Sequence, residues 1–446
     1  MIILWTDALI FLLCGFIIGL SFYLRDKATM QRPLKTLASN QVSMVALTVL
    51  LFFVAIGLVD SVHFKNSADK NNEVISVLDY IATPLREHTE KTYSAPFATT
   101  LYSKEMTLFA DGAMHWTYPR LMFGGQHLID DSQLIADVLI KTGQALLAGL
   151  MVFILCTALS YYRLKIKKCR YYQYCAAPCI LTLGILLLLS FSLSYLSLYY
   201  HVFGTDKVGE DVFYQAIKSI RTGLVIGTLT TLVMLPLAIF FGILAGFFRG
   251  VVDDVIQYIY TTLNAIPSVL LIAASILMVQ VYMSNHEDDF TSVLIRADTR
   301  LLFLCLILGV TSWTGLCRLL RAETLKLREM DYVQAAYALG VKQPIILMRH
   351  ILPNVMHLVI CSVVLDFSSL VLAEAVLSYI NIGVDASSYS WGNMINGARL
   401  EVAREPIVWW SLLSAFIFMF ALVLAANLFA DGVQNAFDPR RANERL

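Results

Sequence analysis

Charged side chains are scarce in this chain of 446 residues. Asp, Glu, Lys and Arg make up 15% of it, hydrophobic residues make up 58%, and the mean hydropathy is +0.68. A soluble globular domain carries about 25% charged residues. The composition therefore excludes an ordinary soluble domain and predicts an all-α polytopic membrane protein. The formal net charge of +0 carries no information about partners, and no nucleic-acid partner is expected.

Cysteine pairs and catalytic motifs are also missing. The polar region Ser61–Asp131 has no cysteine, so no disulfide framework is available there. Cys169 and Cys175 are spaced C-x5-C, which is poor for zinc. The chain lacks the Gly-x4-Gly-Lys-Ser/Thr phosphate loop, the His-Glu-x-x-His metal motif and the Gly-x-Ser-x-Gly nucleophile motif. We therefore predict no catalytic residue, no metal site and no cofactor in this chain.

Long apolar runs are what the sequence has in abundance. A helix needs about 20 predominantly apolar residues to cross the hydrocarbon core, and about nine runs meet that length. The first is not expected to be a cleaved signal, because it lacks a basic start and a small-residue cleavage site. The predicted spans are Ile2–Leu24, Val42–Val59, Ile135–Tyr161, Ala176–Tyr200, Leu224–Phe248, Val255–Tyr282, Leu301–Leu319, Val355–Ile380 and Ile407–Ala430.

Lysine and arginine predict the orientation, because they accumulate in cytoplasmic loops. Arg163–Arg170, the loop between Arg318 and Arg349, and the tail with Arg440 and Arg441 are all basic. These segments should be cytoplasmic. The N-terminus should then lie outside, the C-terminus inside, and the region Ser61–Asp131 outside.

The outward region Ser61–Asp131 has the aromatic content of a folded insert. Glu73–Arg86 has apolar residues at helical spacing, and Glu105–Tyr118 alternates around Asp111-Gly112, which is typical of a hairpin. We predict a small α+β insert. It either braces the extra spans or forms a docking surface for an outer partner, and the sequence leaves both readings open.

The loop Asp331–Asn354 is the longest polar interruption in the second half of the chain. Asp331 and Gln334 fit a capping box, Gly340 fits a left-handed helix end, and Pro344 and Pro353 fit first turns of following helices. We therefore predict a two-turn helix at the membrane surface whose small residues allow close approach. By local pattern alone it is either an ordinary surface helix or a docking element.

Several further residues have two readings. Gly242–Gly246 forms a small-xxx-small face for close helix packing. Trp391, Trp409 and Trp410 suit either interface anchors or ligand-stacking groups.

The ordered motifs resemble those of one family. They are Gly204-Thr205-Asp206 with Asp211, Gln334-Ala335-Ala336 with Gly340 and His350-Ile351-Leu352-Pro353, Trp391-Gly392, and Asp438-Pro439. Over residues 201–439 they resemble the C-type permease subunit of dipeptide, oligopeptide and nickel ABC importers, a binding-protein-dependent transport inner membrane component. Gln334 stands where the family has an acid, Glu210 where it has an Arg, and Ala430 where it has a Gly.

The resemblance implies a type I ABC importer permease core of about six spans, preceded by about three extra N-terminal spans and the insert. The resulting divisions are 1–60 for spans one and two, 61–133 for the insert, 134–175 for the third span and its basic loop, 176–439 for the permease core, and 440–446 for the tail.

The resemblance also implies roles for particular residues. Asp206 and Asp211 would contact a docked binding protein, or else cap helices. Asp366 and Glu374 would line the translocation path, or else form an interhelical hydrogen bond or pair with a second permease. The residues that would couple to an ATPase are Asp331, Gln334, Ala335, Ala336, Gly340, His350 and Pro353.

The expected protein is thus a non-enzymatic permease of a bacterial inner membrane, importing peptides or similar small solutes. Its implied partners are a second B-type permease, two cytoplasmic ABC ATPases that bind ATP, an extracytoplasmic binding protein and the lipid bilayer. Two alternatives stay open at this point. One is an ATP-independent secondary transporter or channel, and the other is a non-transporting membrane scaffold.

Overall fold

The computed structural model describes residues 4–24, 28–65, 74–108, 114–128, 130–167, 173–287 and 292–437. Helices dominate these residues. They are α1 Trp5–Leu24, α2 Ala28–Ser39, α3 Gln41–Asp60, α4 Val77–Ile81, α5 Thr83–Glu87, α6 Leu134–Lys167, α7 Gln173–Leu196, α8 Val212–Phe248, α9 Val251–Ala265, α10 Ser268–Asn285, α11 Val293–Ser312, α12 Thr314–Arg328, α13 Asp331–Ala338, α14 Gln343–Ile346, α15 Leu352–Tyr379, α16 Trp391–Ala398 and α17 Trp410–Phe437.

Seven helices in the described part of the chain are long and apolar enough to cross a membrane, which confirms a polytopic helical fold. They correspond to seven of the predicted spans: Gln41–Asp60, Leu134–Ala158, Ala177–Leu196, Val212–Phe248, Ser268–Asn285, Gln343–Tyr379 and Trp410–Phe437. The first predicted span is the 20-residue helix α1.

Two predicted spans are not continuous helices. Val255–Tyr282 divides into α9 and α10 at Ile266 and Pro267, because proline has no backbone N–H and holds the preceding residue extended. Ile266 has φ −88° and ψ 132° accordingly. Leu301–Leu319 divides at Trp313 into α11 and α12. The prediction of single helices over these two ranges is wrong.

One compact unit contains the described residues of Ala38–Thr222 and Tyr389–Ala425. Its span α7 packs against both α3 and α6. Glycine permits the close contact of α6 with α7, since a Cβ at Gly184 would lie 2.7 Å from the Phe153 ring and one at Gly149 would lie 3.2 Å from Leu188.

The same unit contains the insert, and its α+β character is confirmed. Strand β1 (His63–Lys65) pairs antiparallel with β2 (Val74–Ser76), and β3 (Glu105–Leu108) with β4 (Met114–Thr117). The hairpin prediction is therefore confirmed, although Asp111-Gly112 lies outside the described residues. The predicted helix Glu73–Arg86 is only partly correct, because β2 occupies its start and α4 ends before Ala82.

The other unit comprises Leu4–Leu37, Gly223–Ser388 and the segment from Ala426 onward. Helix α1 packs on α11, where the backbone N–H and hydroxyl of Thr6 donate to Asp298 and Leu9 and Ile10 meet the apolar cluster around Leu301. The predicted Gly242–Gly246 face is confirmed within this unit. A Cβ at Gly242 would lie 2.9 Å from the Cys317 carbonyl oxygen, and one at Gly246 would lie 2.7 Å from that of Arg321.

Candidate coupling loop and outer loop

Helix α13 is an eight-residue helix, which confirms the predicted two-turn length. Val333 and Ala336 are its buried residues, 2% and 8% exposed. They join an apolar cluster that includes Phe247 of α8 and Leu320 of α12, and also Ile346, Ile351 and Val355. The helix is therefore packed onto the ends of longer helices along one face and open along the other.

The start of α13 differs from the predicted capping box. Met330 is the N-cap residue and makes no side-chain cap, and Asp331 is already inside the helix. Gln334 instead donates from Nε2 to the carbonyl oxygen of Arg328, at 2.9 Å. The capping-box prediction is wrong because the helix begins one residue earlier than it required, so Asp331 is not the N-cap residue. A carboxylate at position 334 could not replace the observed bond, since it cannot donate to a carbonyl. Gln334 thus makes a hydrogen bond to the Arg328 carbonyl oxygen that the acid usual at this position of the family could not make.

The end of α13 confirms the prediction for Gly340. Its φ is +75°, the left-handed region that favours glycine. The Gly340 N–H donates to the Tyr337 carbonyl at 3.0 Å, and the Val341 N–H donates to the Ala336 carbonyl at 3.1 Å. This pair of bonds is a Schellman motif, which closes the helix and turns the chain sharply.

The chain then re-enters a long helical run. Pro344 lies in the first turn of α14 and Pro353 in the first turn of α15, as predicted. A π-helical turn, Leu347–Ile351, joins the two, so helical structure is continuous over Gln343–Tyr379. Asn354 donates to the Tyr332 hydroxyl at 3.0 Å, and the ring of His350 lies 6.1 Å from the Tyr332 ring. These contacts tie α13 to the start of α15.

The open face of the loop is more apolar than the motif suggested. Ala335 is exposed, but Ala336 points into the core, so the predicted small-residue face is only half present. Leu339 is 83% exposed, Met348 68% and Tyr337 60%. Sequence reasoning missed these three, although large apolar residues within a polar surface loop were an available signal.

An ion pair and a hydrogen bond to a backbone carbonyl fix α12, the helix that leads into α13. Arg321 of α12 makes a bidentate pair with Asp253 of α9, at 2.5 and 2.7 Å. Arg328 donates to the Phe247 carbonyl oxygen at the end of α8, at 2.6 Å. The carbonyl oxygen of Arg328 accepts from Gln334. Hydrogen bonds therefore connect α8 to α12 and α12 to α13.

Residues 197–211 connect α7 to α8 and are named the outer loop, because the predicted topology turns them outward. In this loop the side chains of Asp206 and Asp211 are used for capping. Asp211 is 1% exposed, and its Oδ1 accepts from the backbone N–H groups of Phe213 and Tyr214 at 2.8 and 3.2 Å. Asp206 accepts from the N–H groups of Val208 and Glu210. The geometry favours the helix- and turn-capping reading of both residues, and it leaves the Asp211 carboxylate without a surface for a docked protein.

The insert wraps the outer loop closely. Thr205 donates to the Thr92 carbonyl at 2.9 Å and accepts from the Ser94 N–H at 2.7 Å. Gly204 and Gly209 have φ of +70° and +83°, and a Cβ at Gly209 would lie 1.8 Å from the Glu90 carbonyl oxygen. The motif glycines are thus required for contact with the insert, which favours its bracing role.

A buried charge triad joins the insert to the loop. His201 Nδ1 lies 2.7 Å from Asp211 Oδ2, and its Nε2 lies 3.5 Å from Glu90 Oε1. Burial disfavours the imidazolium, but Asp211 and Glu90 outweigh burial and raise the pKa of His201 to about 9. Burial also disfavours the Glu90 carboxylate. The contact with His201 and hydrogen bonds from the N–H groups of residues 122–124 outweigh it and hold the pKa of Glu90 at about 2.

A second buried cluster surrounds Lys218, near the start of α8. Its Nζ lies 2.7 Å from Asp60 at the end of α3 and 2.8 Å from Asp79 in the insert. Ser76 donates to Asp60, and the Tyr214 hydroxyl donates to Asp79. Burial would raise the pKa of Asp79, but Lys218 and hydrogen bonds from the Ser76 backbone N–H and the Tyr214 hydroxyl lower it to about 2. Sequence reasoning missed this cluster, because its members are far apart in the chain.

The two acids of α15 hydrogen-bond to serines of their own helix. Glu374 is 1% exposed and accepts from Ser378 Oγ at 2.7 Å. Asp366 is half-buried and accepts from Ser362 Oγ at 2.7 Å. Each of these hydrogen bonds joins residues one helical turn apart in the same helix. It gives the carboxylate a partner, but it does not distinguish a residue of the translocation path from one at an interface with a second permease. An interhelical bond nearby joins Ser368 to Asn427 of α17, at 2.6 Å.

Comparison with known proteins points to one family. Residues 238–443 match the family described as binding-protein-dependent transport system inner membrane component. The chain is 30% identical over 244 residues to the dipeptide transport system permease protein DppC of Lactococcus lactis, covering 55% of this chain and 65% of that protein. It thus spans less than two thirds of that relative's length.

Other relatives agree. The chain is 29% identical over 240 residues to the oligopeptide transport system permease protein OppC of Bacillus subtilis, covering 54% of this chain and 72% of that protein. It is 28% identical over 240 residues to the glutathione transport system permease protein GsiD of Pectobacterium atrosepticum, covering 54% and 73%. The resemblance drawn from the motifs is confirmed. The family match begins at residue 238, beyond the insert and the outer loop.

Proposed function

We propose that this protein is a permease subunit of an ABC importer for peptides or similar small solutes, because residues 238–443 match the family of binding-protein-dependent transport system inner membrane components. The observation that carries the proposal is the coupling-type loop, with α13 seated between two long helices and closed at Gly340. The relatives named as dipeptide, oligopeptide and glutathione permeases support the solute class.

The proposal places this chain in a larger assembly of a bacterial inner membrane. A second B-type permease would complete the translocation path, two cytoplasmic ABC ATPases would bind and hydrolyse ATP, and an extracytoplasmic binding protein would deliver the solute. This chain would contribute no catalytic group or cofactor. Its α13 loop and C-terminus would face the cytoplasm, and its N-terminus and insert would face outward, as the distribution of Lys and Arg favours.

The packing of α13 supports a mechanism in which α13 transmits the movement of an ATPase to the membrane helices. An ATPase groove would grip the exposed Tyr337 and Leu339, which stand on the open side of the helix. Val333 and Ala336 on the other side are packed into the core, and close-packed elements move as rigid bodies rather than deforming. ATPase closure would therefore carry α12 and α15 along with α13.

The test is co-purification of the ATPases and ATP-driven peptide uptake in proteoliposomes containing the whole complex. We expect Leu339→Asp to lower both at least about tenfold, because a charge would enter an apolar contact worth more than about 1.4 kcal/mol. Leu400→Asp is the matched control. Leu400 is also an exposed leucine, 73% accessible, but lies outside the coupling loop.

Either of two results would refute the proposal. One is full ATPase binding and uptake by the Leu339→Asp complex. The other is peptide uptake driven by an ion gradient in vesicles that hold this chain without an ATPase, which would instead establish a secondary transporter. Absence of any solute uptake by the complete, ATP-hydrolysing complex would favour the scaffold alternative.

A further inference from the structure

The β3–β4 hairpin of the insert has one apolar face. Its register pairs Glu105 with Thr117, Met106 with Trp116, and Thr107 with His115. Side chains alternate along a strand, so the paired Met106 and Trp116 share a face with Met114, and Tyr118 continues it just beyond β4. Glu105, His115 and Thr117 occupy the opposite, polar face.

The apolar face is uncovered. Met114 is 65% exposed, Trp116 63%, Met106 53% and Tyr118 52%. A soluble two-stranded ribbon normally turns such a face toward a core, because exposed aromatic and thioether groups gain free energy on leaving water. Four neighbouring large apolar side chains on one ribbon therefore indicate an occupant outside the chain.

The base of the hairpin lies at the entry of a membrane span. The Tyr102 hydroxyl donates to the Ile407 carbonyl at 3.0 Å, and the Tyr102 ring meets the Trp410 ring edge-on at 4.9 Å. Trp410 is the first residue of the span α17. Met106 follows Tyr102 by four residues, which is about 13 Å of extended strand at most. Ile407 and Trp409, which adjoin Trp410 in the sequence, are exposed apolar residues as well.

The charged residues near this face indicate which kind of partner covers it. Lys104 lies at its edge, with Nζ 5.5 Å from the centre of the Tyr118 ring. The acid in the described part of the two strands, Glu105, belongs to the polar face and pairs with Lys91. An apolar face of Trp, Tyr and Met rimmed by a lysine has the composition of a membrane-interface anchor, with the ammonium reaching the phosphates.

We propose that the β3–β4 hairpin lies on the surface of the lipid bilayer beside α17, with Met106, Met114, Trp116 and Tyr118 inserted among the headgroups. The insert then has a second attachment to the membrane besides the spans on either side of it. This assignment rests on the hairpin and on α17 as a span. It does not depend on the transported solute or on the ATPase.

The test uses photo-crosslinking in the full-length protein in nanodiscs of phosphatidylethanolamine and phosphatidylglycerol. p-Benzoylphenylalanine replaces Met114 in one preparation and His115 in the other. Both residues are exposed and adjacent, but they lie on opposite faces of the ribbon. We expect lipid adducts, measured by mass spectrometry, to be at least about fivefold more abundant from position 114.

Equal lipid labelling from the two positions, or none from either, would overturn the proposal. So would a crosslink from position 114 to another protein when the same variants are irradiated in native membranes, since the face would then be a protein-docking site. A second readout is Trp116 fluorescence, taken as the difference between wild type and Trp116→Phe. Bromine-labelled lipid should quench that difference signal, and failure to quench it would also count against a lipid contact.

Discussion

At the scale of single residues, the unit that contains the insert depends on buried charges that lie beside charges of opposite sign. Lys218 is held between Asp60 and Asp79, and His201 between Glu90 and Asp211. A buried pair adds little over an apolar substitute, but removing one partner leaves an uncompensated charge. These residues are therefore expected to be sensitive to single substitutions and tolerant of matched ones.

Lys218→Met should destabilise the protein by about 3–5 kcal/mol, because two carboxylates lose their shared cation in a buried site. Thermal and denaturant unfolding in detergent would measure the change. Lys207→Met is the control, since Lys207 is an exposed residue of the outer loop. Adding Asp60→Asn and Asp79→Asn to Lys218→Met should recover part of the loss. A Lys218→Met protein as stable as the control would contradict the cluster's role.

The His201 triad predicts a dependence of stability on pH. The folded pKa of His201, about 9, lies above its ordinary value of 6.5, so its contribution is complete below about pH 6.5 and is lost as pH rises through 9. The shift corresponds to about 3 kcal/mol. The folded pKa of Glu90 is about 2, below its ordinary 4.5, so its contribution is lost as pH falls from 4.5 toward 2.

Denaturant unfolding at pH 6, 7.5 and 9 would measure the alkaline part of this dependence. Wild type should lose stability across that range, whereas His201→Gln should lose much less, because glutamine does not titrate. Parallel curves for the two proteins would show that His201 does not carry the effect.

At the scale of elements, α13 has one face that determines stability and another that is free to meet a partner. Two adjacent alanines lie on different faces: Ala336 is buried against the apolar cluster, and Ala335 is exposed. The family motif treats the two positions together, but the packing gives them different physical roles.

Ala336→Asp should lower the stability of the protein by about 2 kcal/mol or more, because a carboxylate would enter an apolar cluster without a partner. Ala335→Asp should leave the unfolding midpoint nearly unchanged and reduce only ATPase co-purification. The unfolding midpoint and the amount of co-purified ATPase are measured for each variant and compared between the two. Equal stability of the two variants would mean that α13 does not pack as described.

At the scale of the whole molecule, the insert belongs to the same compact unit as α3, α6, α7 and the first part of α17. It supplies partners to Lys218, His201 and Thr205, so it is an integral part of this unit and not an appended domain. The insert, the spans α3, α6 and α7 and the loop before α8 therefore form one folded body.

Deleting residues 61–131 should abolish recovery of monodisperse protein, because Lys218 and His201 would keep their charges without Asp79 and Glu90. Replacing only Glu105–Thr117 with a Gly-Ser linker should preserve that recovery. The ion pair that the described part of the hairpin makes, Lys91 with Glu105, has an exposed lysine, and surface pairs contribute about 0–1 kcal/mol. Size-exclusion chromatography in detergent distinguishes the cases. A monodisperse deletion protein would show that the insert is dispensable for folding.

The sequence by itself determined the features set by local hydrogen bonding and by apolar run length. Seven spans, the β3–β4 hairpin, the two-turn helix α13 and the left-handed Gly340 follow from patterns within a few residues. The helix break at Pro267 also has a local cause, but hydropathy averaged over the window concealed it.

Only the tertiary structure decided which side chains meet across the chain. Lys218 and Asp60 are 158 residues apart, and no local pattern pairs them. Likewise, the inward direction of Ala336 depends on α8, α12 and α15 arriving beside it, and the capping role of Asp211 became distinct from a docking role only when Glu90 and His201 enclosed it. Burial and long-range pairing are properties of packed elements, so their energies exist only once the helices have assembled.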